Sequence, residues 1–414
     1  MNFEDALNTE ANQYQPARRE RTSAPSGYEP GIRYESSGVQ IVTTPPMEHL
    51  ANEDDWAKAV HALGVEIPSG WRLRLVEARY DPAAWHRDNV NEDAVTRPVW
   101  RYRFAVEPDL AGGTNLDELV VEILKVKPPK PTKAKGVPAT QVLLVNDWQL
   151  YKAAGDGIEG TVQRIVASWQ AALAAKREWS QAGFDVNDLV IVGNGDIVEN
   201  CVTYANQSYE ITGDMRDQRN TARRLIVDGV RTLAPHYSTV RGSVVGGNHG
   251  ENRQNGRRIN RHDNSDAEVF ESAADVLAEN PDAFGHVSWQ IPREELAATI
   301  DVRGWILGHQ HGHLTGGSGS PEAKMRSWYD KQAGAKRPVG ESHILATAHY
   351  HHNRLADWGA DDRSKAGCLW IMTPALDGGS PFFADMSGAE SAPGVTTFLT
   401  TEAHRMERYQ TIQL

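Results

Sequence analysis

Histidine is the residue type whose distribution first points to chemistry in this chain. Of the 15 histidines in 414 residues, seven lie within one stretch of 44 residues. Imidazole is the commonest metal ligand in proteins, and it also transfers protons near neutral pH. The sequence therefore predicts a metal or acid–base site that draws on this group: His309, His311, His313, His343, His349, His351 and His352.

Carboxylate, amide and imidazole side chains follow several short apolar runs directly. A carboxylate can bridge two cations about 3.5–4 Å apart, while imidazole and amide oxygen complete their coordination. We therefore interpret the set as a two-metal centre. In chain order, the polar runs are Asn146-Asp147-Trp148-Gln149, Asn194-Gly195-Asp196 with Glu199, Gly247-Asn248-His249 with Glu251, residues 309–313, and residues 349–352.

Strands and amphipathic helices alternate from about residue 137 onwards, which is typical of an α/β layer architecture. In such sheets, functional residues collect where a buried strand ends and a loop begins. The polar runs lie at the ends of the predicted strands. We predict strands over 141–145, 189–192, 239–245 and 305–307, and helices over 160–179, 221–233 and 266–278.

The five polar runs together resemble the ordered signature of the calcineurin-like metallophosphoesterase superfamily: D-x-H, G-D-x-x-[DE], G-N-H-[DE], a lone His, and G-H-x-H. The resemblance covers about residues 142–352. Each block alone is weak, but five in order after apolar strands make chance improbable. The resemblance implies an α/β fold, a four-layer αββα sandwich. The sequence also resembles phage- and prophage-type members of the superfamily, akin to double-strand-break repair exonucleases.

The resemblance also implies roles for individual residues. Asp147 would bind the first metal, Asp196 would bridge both metals, and Asn248 would bind the second. His349 and His351 would bind one metal each. Asp196, Asn248 and His249 would form the catalytic set, in which His249 is not a ligand but a proton donor to, or stabiliser of, the leaving oxygen.

The lone-His block contains three alternating histidines, which a strand would point in the same direction. We expect His311 to be the ligand, because it precedes a glycine as in the family pattern, with His309 as the alternative. The remaining candidates are expected to orient ligands or contact substrate: His313, His352, Glu199, Glu251 and Arg253.

Gln149 departs from the family pattern, which has histidine at this position. Its side chain offers only a neutral carbonyl oxygen as a ligand, a weaker donor than imidazole. We expect a modified first metal site that favours a hard ion such as Mn. Two divalent ions are thus the expected cofactors, Mn first, with Fe, Zn, Mg and Ni as alternatives.

The sequence predicts that residues 1–136 lie outside the catalytic domain. Residues 1–35 are polar and are expected to form a flexible tail. Residues 36–124 predict a small α+β accessory domain with a helix over 52–63 and strands over 71–78 and 99–106. Residues 125–136 (KVKPPKPTKAKG) read as a Lys/Pro linker, and 137–414 as the catalytic domain.

Composition excludes several classes of protein. The chain carries 55 acidic and 43 basic residues, a formal charge of −12, which argues against coating nucleic acid by bulk electrostatics. Two cysteines, Cys201 and Cys368, are too few for a disulfide scaffold. The sequence has no recognisable export signal and no long apolar run, so we expect neither secretion nor membrane association. We expect a cytoplasmic location.

Four arginines follow the G-N-H block, at positions 253, 257, 258 and 261. This density suits a polyanion, so the leading hypothesis is a DNA nuclease. A small-nucleotide phosphodiesterase or phosphomonoesterase is the alternative within the class. A non-catalytic binding or scaffold module on a decayed phosphoesterase fold is the alternative outside it. No G-x-x-x-x-G-K-[ST] loop occurs, so ATP-driven opening of DNA would need a separate ATPase partner.

Overall fold

The structure of the chain is a computed structural model, and it describes most of the sequence. The described residues are 30–34, 40–47, 53–63, 71–87, 94–108, 115–128, 135–204, 207–254, 256–260, 263–293, 295–316, 318–379 and 392–414. The chain divides into two compact units, Met1–Asp109 and Leu110–Leu414. Most of the predicted tail, residues 129–134 of the predicted linker and Arg261 lie outside the described residues.

The first unit is an antiparallel sheet with one helix, in the order β1-β2-β4-β3. Trp56 on the helix packs against Tyr102 and Phe104 of β4, with ring centroids 5.9 and 5.2 Å apart. The predicted helix and both predicted strands are confirmed, although the strands are longer than expected. The elements are β1 (Gly31–Tyr34), β2 (Gln40–Thr43), α1 (Glu53–His61), β3 (Trp71–Arg87) and β4 (Ala94–Pro108).

Two of the predicted boundaries need correction. Gly31–Tyr34, assigned to the tail, pairs with β2 as an edge strand. Helix α2 (Leu116–Leu124), assigned to the accessory domain, belongs to the second unit. Its apolar side chains Leu119 and Ile123 are buried in the core of that unit. The apolar periodicity of this helix was visible in the sequence, but its packing partner was not.

Helices of the second unit cover its sheets from outside. All three helices predicted for this region are present. The helix predicted over 221–233, α4, begins at Met215, because Asp214 caps it by accepting from Arg216 N and Asp217 N. The helices after α2 are α3 (Gly157–Gln181), α4 (Met215–Leu233), α5 (Ser265–Ala278), α6 (Pro281–Phe284) and α7 (Pro321–Gly334), with 3-10 turns at Gln207–Tyr209, Ala234–His236 and Pro338–Glu341.

A six-stranded sheet forms one half of the second unit, in the order β10-β7-β6-β5-β16-β17. Its first four strands run parallel to one another, and β16 is antiparallel to both of its neighbours, β5 and β17. The strands are β5 (Val137–Val145), β6 (Phe184–Gly193), β7 (Thr239–Val244), β10 (Val287–Gln290), β16 (Gly394–Thr401) and β17 (Glu407–Gln413).

A five-stranded sheet forms the other half, in the order β11-β12-β13-β15-β14. Its three middle strands run parallel. A short hairpin, β8 (Arg253–Gln254) with β9 (Arg257–Arg258), stands apart from both sheets. The strands are β11 (Ala297–Val302), β12 (Trp305–Gln310), β13 (Ile344–Thr347), β14 (Arg354–Asp361) and β15 (Ala366–Met372).

The two sheets face each other across one buried apolar layer, to which Val142 and Val190 contribute from one sheet and Leu307 and Ile344 from the other. Helices α3, α4 and α5 pack on the outer face of the first sheet. Met325 of α7 packs on the outer face of the second. These layers are helix, sheet, sheet, helix, so the expected α/β sandwich is confirmed. Within the described part of the chain, no helix is both long and apolar enough to span a membrane.

Candidate metal centre

The polar runs predicted from the sequence lie at the carboxyl ends of parallel strands in both sheets. The strands β5, β6 and β7 end at Val145, Gly193 and Val244, and β12 and β13 end at Gln310 and Thr347. Carboxyl ends of parallel strands meet at one edge of a sheet. The loops that carry Asp147, Asp196, Asn248, His311 and His349 consequently converge.

The backbone at this edge is strained in the way that functional sites often are. Five of the predicted ligands have positive φ angles: Asp147 (48°), Gln149 (42°), Asp196 (52°), His349 (71°) and His351 (57°). Non-glycine residues rarely adopt this conformation, which costs roughly 1–3 kcal/mol per residue. The surrounding structure therefore has to hold these side chains in place.

Glycine allows two of the loops to touch. Gly195 has a φ angle of +81°, and a Cβ atom there would lie 2.1 Å from the backbone nitrogen of Gly247. A Cβ atom on Gly247 would lie 2.1 Å from Oδ1 of Asp196. Only glycine at both positions permits the loops after β6 and β7 to bring Asp196 beside Asn248.

Asp196, His311 and His349 form the centre of the site. One ligand atom from each lies within 4.8 Å of those of the other two. The Nε2 atom of His311 is 2.9 Å from Oδ2 of Asp196, yet His311 Nε2 has no partner in hydrogen-bonding geometry among the described residues. Asn248 adds a buried Oδ1 atom that likewise has none. Two sheets thus deliver two imidazoles, a carboxylate and an amide oxygen to one point.

A second group of donors surrounds Asp147, which is fully buried. The Nε2 atom of His351 lies 3.4 Å from its Oδ1. The other oxygen, Oδ2, accepts hydrogen bonds from Asn146 Nδ2 (2.8 Å) and His349 N (3.2 Å). One oxygen of Asp147 is therefore held by the protein, while Oδ1 faces His351.

These residues fit divalent metal ions. The side-chain atoms Asp147 Oδ1, Asn248 Oδ1 and His311 Nε2 are buried without a hydrogen-bond partner among the described residues. Burying such atoms unpaired costs free energy, which cation binding would recover. Mixed imidazole and oxygen donors suit ions such as Zn, Mn and Fe.

The electrostatics also favour a cation at this point. Burial alone lowers the pKa of His311, but the adjacent Asp196 carboxylate outweighs it and raises the pKa to about 9. Burial and the nearby His311 lower the pKa of His349 to about 3. His349 is thus a neutral imidazole at physiological pH, the form that binds a metal, whereas His311 holds a proton beside the Asp196 carboxylate and would release it on binding a metal.

Gln149 is not oriented as the expected ligand. Its carbonyl oxygen accepts a hydrogen bond from Lys152 Nζ (2.7 Å), and its amide nitrogen is 3.2 Å from Nε2 of His249. Lys152 also pairs with Asp377 at 2.5 Å, and Asp377 lies 3.6 Å from Nδ1 of His351. The sequence reading of Gln149 as a metal ligand is therefore corrected: its amide links Lys152 to His249.

His249 lies against the acid that was expected to orient it. Its Nδ1 atom is 3.3 Å from Glu199 Oε1 and 3.1 Å from the Glu199 carbonyl oxygen. Its backbone N–H donates to Asp196 Oδ1 (2.8 Å). Burial lowers the pKa of His249, but Asp196 and Glu199 outweigh it and raise the pKa to about 10. The imidazole therefore carries a proton at neutral pH.

Glu251 forms ion pairs with basic side chains at the rim of the site. It pairs with Arg253 (Nη2 to Oε2, 2.8 Å), with Arg258 and with His313 (Nε2 to Oε1, 3.3 Å). Burial raises the pKa of Glu251, but these partners outweigh it and lower the pKa to about 2. His313 also lies 5.4 Å from His311, centroid to centroid. Glu251 thus fixes residues expected to contact substrate.

The other histidines of the cluster lie apart from the donors. His309 is fully buried, and its two ring nitrogens contact Ser243 Oγ (2.8 Å) and Asn194 Oδ1 (2.9 Å). Of the three alternating histidines, His309 and His311 both contact Asn194, through its side-chain Oδ1 and its carbonyl oxygen respectively, and His313 contacts Glu251. Nδ1 of His352 is 2.6 Å from the Tyr350 carbonyl oxygen. His343 accepts a hydrogen bond from Ile306 N (2.9 Å) near the start of β12, at the end of the strand opposite to the metal centre.

Sequence reasoning missed the groups that hold the ligand loops. The carboxylate of Asp266, at the start of α5, accepts from the backbone N–H groups of Asp196 (2.8 Å), Ile197 (2.9 Å), Val198 (3.2 Å) and Gly247 (2.9 Å). It joins the loops after β6 and β7. The available signal was an acid in the first turn of an amphipathic helix, which is also an ordinary helix-start pattern.

Comparison with known proteins gives only distant likenesses. No protein-family model and no curated protein matches the sequence. Among solved structures, the chain is similar to Vps29 from Entamoeba histolytica in complex with Zn²⁺ (13% identity, 66% of this chain and 98% of that chain, TM-score 0.26). It is also similar to a predicted phosphoesterase from Streptococcus pneumoniae (10%, 68% and 100%, TM-score 0.23) and to a 5′-nucleotidase from Candida albicans (8%, 66% and 49%, TM-score 0.27).

Identities and TM-scores this low carry no information about activity. The fold follows from this chain's own layers: two facing mixed sheets, helices outside, and ligand-bearing loops at one edge. That arrangement is a two-sheet α/β sandwich, and its loops carry donors suited to divalent metal ions.

Proposed function

We propose that this chain is a hydrolase of phosphate esters that binds two divalent metals and cleaves phosphodiester bonds. One observation carries the proposal: Asp196, His311 and His349 bring their ligand atoms within 4.8 Å of one another. Asp147 with His351 lies beside them. Asp196 would be the carboxylate shared by the two metals, with His311 and His349 beside it and Asp147 and His351 as the second group of donors.

When bound, the metals would lower the pKa of a coordinated water toward about 7 and polarise the phosphate. The chain's own residues do the rest. Glu199 holds the His249 ring through Nδ1. Within the described residues, the Nε2 atom of His249 is 3.2 Å from the amide nitrogen of Gln149, itself a donor, and 4.0 Å from Oδ2 of Asp196. We infer that, with substrate bound, the Nε2 proton would pass to the leaving oxygen.

DNA is the substrate that we favour, and Mn is the metal. Arg257 is exposed on the β8–β9 hairpin beside the site, and Arg253 and Arg258 are held there by Glu251. Guanidinium groups at the rim suit a phosphate backbone. At the first metal position the donors beside Asp147 include one imidazole, His351, with no second one contributed by Gln149, which favours a hard ion.

The test is an assay of metal-stripped protein reloaded separately with Mn²⁺, Zn²⁺ and Mg²⁺. The substrates are linear duplex DNA, bis(p-nitrophenyl) phosphate and p-nitrophenyl phosphate. We expect metal-dependent cleavage of DNA and of the diester, with the monoester cleaved slowly. A preference for the monoester would transfer the proposal to a phosphomonoesterase or small-nucleotide enzyme.

Two variants and a matched control accompany this assay. Asp196→Asn and His249→Ala are expected to lose activity, whereas His404→Ala, a more exposed histidine paired with Asp362 outside the site, retains it. Metal content is measured by mass spectrometry on each protein. If the wild type binds no metal and cleaves none of the substrates, the enzyme proposal is wrong.

A non-catalytic binding module is the second candidate, and one observation favours it. Gln149 stands where the family pattern has histidine, and its oxygen is engaged by the Lys152 ammonium. A cationic neighbour disfavours a metal at the first position. Stable binding of a single metal without hydrolysis would support this candidate against the enzyme.

A further inference from the structure

Tyr204 stands at the boundary between the catalytic groups and solvent. Its hydroxyl accepts a hydrogen bond from Asn248 Nδ2 (2.7 Å). Its ring centroid lies 5.2 Å from that of His249, at an interplanar angle of 54°. The guanidinium of Arg253 lies 4.9 Å from the same centroid. The ring therefore touches one residue from each part of the predicted machinery: a ligand, the acid and a rim cation.

The segment that carries Tyr204 is fixed on its inner side. Gln207 Oε1 accepts from Thr203 N (2.8 Å) and Tyr204 N (3.2 Å), and Gln207 Nε2 donates to the Glu199 carbonyl oxygen (2.5 Å). Thr203 Oγ1 donates to the His249 carbonyl oxygen (3.2 Å). The backbone at Tyr204 is thus tied to both His249 and its acid.

The outer side of this segment is exposed and aromatic. Tyr204 is 43% exposed and Tyr209 is 86% exposed. Tyr204 is held by its hydroxyl and its backbone, and the part of its ring that His249 and Arg253 leave uncovered is exposed to solvent. The side chain therefore has little further conformational entropy to lose on binding a ligand. Such rings are the surfaces on which nucleobases stack.

The position of His249 determines what would reach this ring. If His249 Nε2 protonates the leaving oxygen, the group attached to that oxygen lies next to His249 and hence against Tyr204. We propose that Tyr204 is a specificity-determining residue that stacks on the nucleobase adjoining the scissile phosphate, on its leaving-group side. This inference rests on the proposed phosphodiesterase function and names its substrate class: diesters that carry a base at that position.

The hydroxyl and the ring of Tyr204 have separate jobs. The hydroxyl receives the Asn248 amide N–H, which turns Asn248 Oδ1 toward the metal position. The ring alone selects the base. Tyr204→Phe therefore removes only the positioning contact, whereas Tyr204→Leu removes both.

The experiment measures kcat/KM for thymidylyl-thymidine and for two analogues in which one or the other thymine is replaced by hydrogen. Wild-type protein is expected to lose roughly tenfold in kcat/KM for one of the two analogues, the effect of one stacked base. Tyr204→Leu is expected to treat that analogue and the parent alike. Tyr204→Phe is expected to be slower on all three and to keep the tenfold ratio.

Tyr80→Leu, a tyrosine of the first unit that is 38% exposed, is the matched control and is expected to keep the wild-type ratio. Equal rates of wild type on all three dinucleotides, or an unchanged ratio in Tyr204→Leu, would overturn the inference while leaving the proposed function intact. Failure of the wild type to cleave bis(p-nitrophenyl) phosphate with any metal would instead remove the proposed function. Because the wild-type comparison needs no variant, poor folding of Tyr204→Leu does not prevent the test.

Discussion

The two groups of donors in the candidate metal centre differ in how well they are prepared for a cation. Around Asp196, the neighbouring donors are His311, His349 and the buried Oδ1 of Asn248. Around Asp147, His351 is the imidazole neighbour, and the position that the family pattern gives to histidine is held by Gln149. We call the first group the Asp196 position and the second the Asp147 position.

The ammonium group of Lys152 lies beside the Asp147 position. Lys152 binds both Gln149 and Asp377, and Asp377 contacts His351. A fixed positive charge nearby weakens the binding of a metal ion. We therefore expect the two positions to fill in sequence, the Asp196 position first and the Asp147 position at higher metal concentration.

Asp196→Asn should have the largest effect, because this carboxylate serves both positions. We expect loss of both binding events in isothermal titration calorimetry with Mn²⁺, and a fall in kcat on the order of 10²–10³ or more on the diester chromogen, comparable to removal of one central electrostatic group. Retention of the tight binding event in this variant would show that Asp196 does not bridge. His404→Ala controls for the loss of a titratable group elsewhere.

A pair of amide substitutions separates the positions. Asn248→Ala should weaken the tight metal-binding event by about 10- to 100-fold, because it removes a direct oxygen donor. Gln149→Ala should leave that event within about threefold, since its amide contacts Lys152 and His249 instead. Equal weakening in the two variants, read from the same titration, would contradict the assignment of Gln149.

Much of this site follows from local sequence pattern. Apolar runs of four residues predicted β5 and β6, and a shorter apolar pair after Gly242 and Ser243 predicted the end of β7. Strand ends are where an α/β sheet places its functional residues. Asp147, Asp196 and Asn248 accordingly stand at the predicted edge. The αββα layers were likewise anticipated, because the family pattern and the alternation of strands and helices agree.

Contacts between distant residues could not be read in this way. The sequence gives no reason for the Gln149 oxygen to turn to Lys152, because that depends on Asp377, 225 residues further on. The separation of His309 from His311 depends on Ser243 and Asn194, which fill both ring nitrogens of His309. Helix α2 packs with the second unit because Arg224 and Arg231 pair with its Glu122.

Asp266 supports the Asp196 position from behind, so its substitution should sharpen the contrast between the positions. Asp266→Asn replaces one of two oxygens that accept four backbone N–H groups with a donor. We expect a loss of about 2–3 kcal/mol in the free energy of unfolding, since a buried N–H is left unpaired. Urea denaturation measures it, with Asp301→Asn, an exposed residue near the end of β11, as control. The metal titration should show the tight event weakened more than the weak one.

Lys152→Met should have the smallest effect on metal binding, and it should strengthen the binding where the other substitutions weaken it. Removing the ammonium frees the Gln149 oxygen and leaves the Asp377 carboxylate, which lies 3.6 Å from His351, without its partner at Lys152. Both changes favour a cation at the Asp147 position, by about 1 kcal/mol or roughly fivefold in affinity. The weak event in the Mn²⁺ titration should therefore strengthen while the tight event stays the same, and Lys331→Met, an exposed lysine on α7, should change neither. A weaker second event in Lys152→Met would mean that Lys152 organises the Asp147 position through Asp377 rather than opposing a metal there.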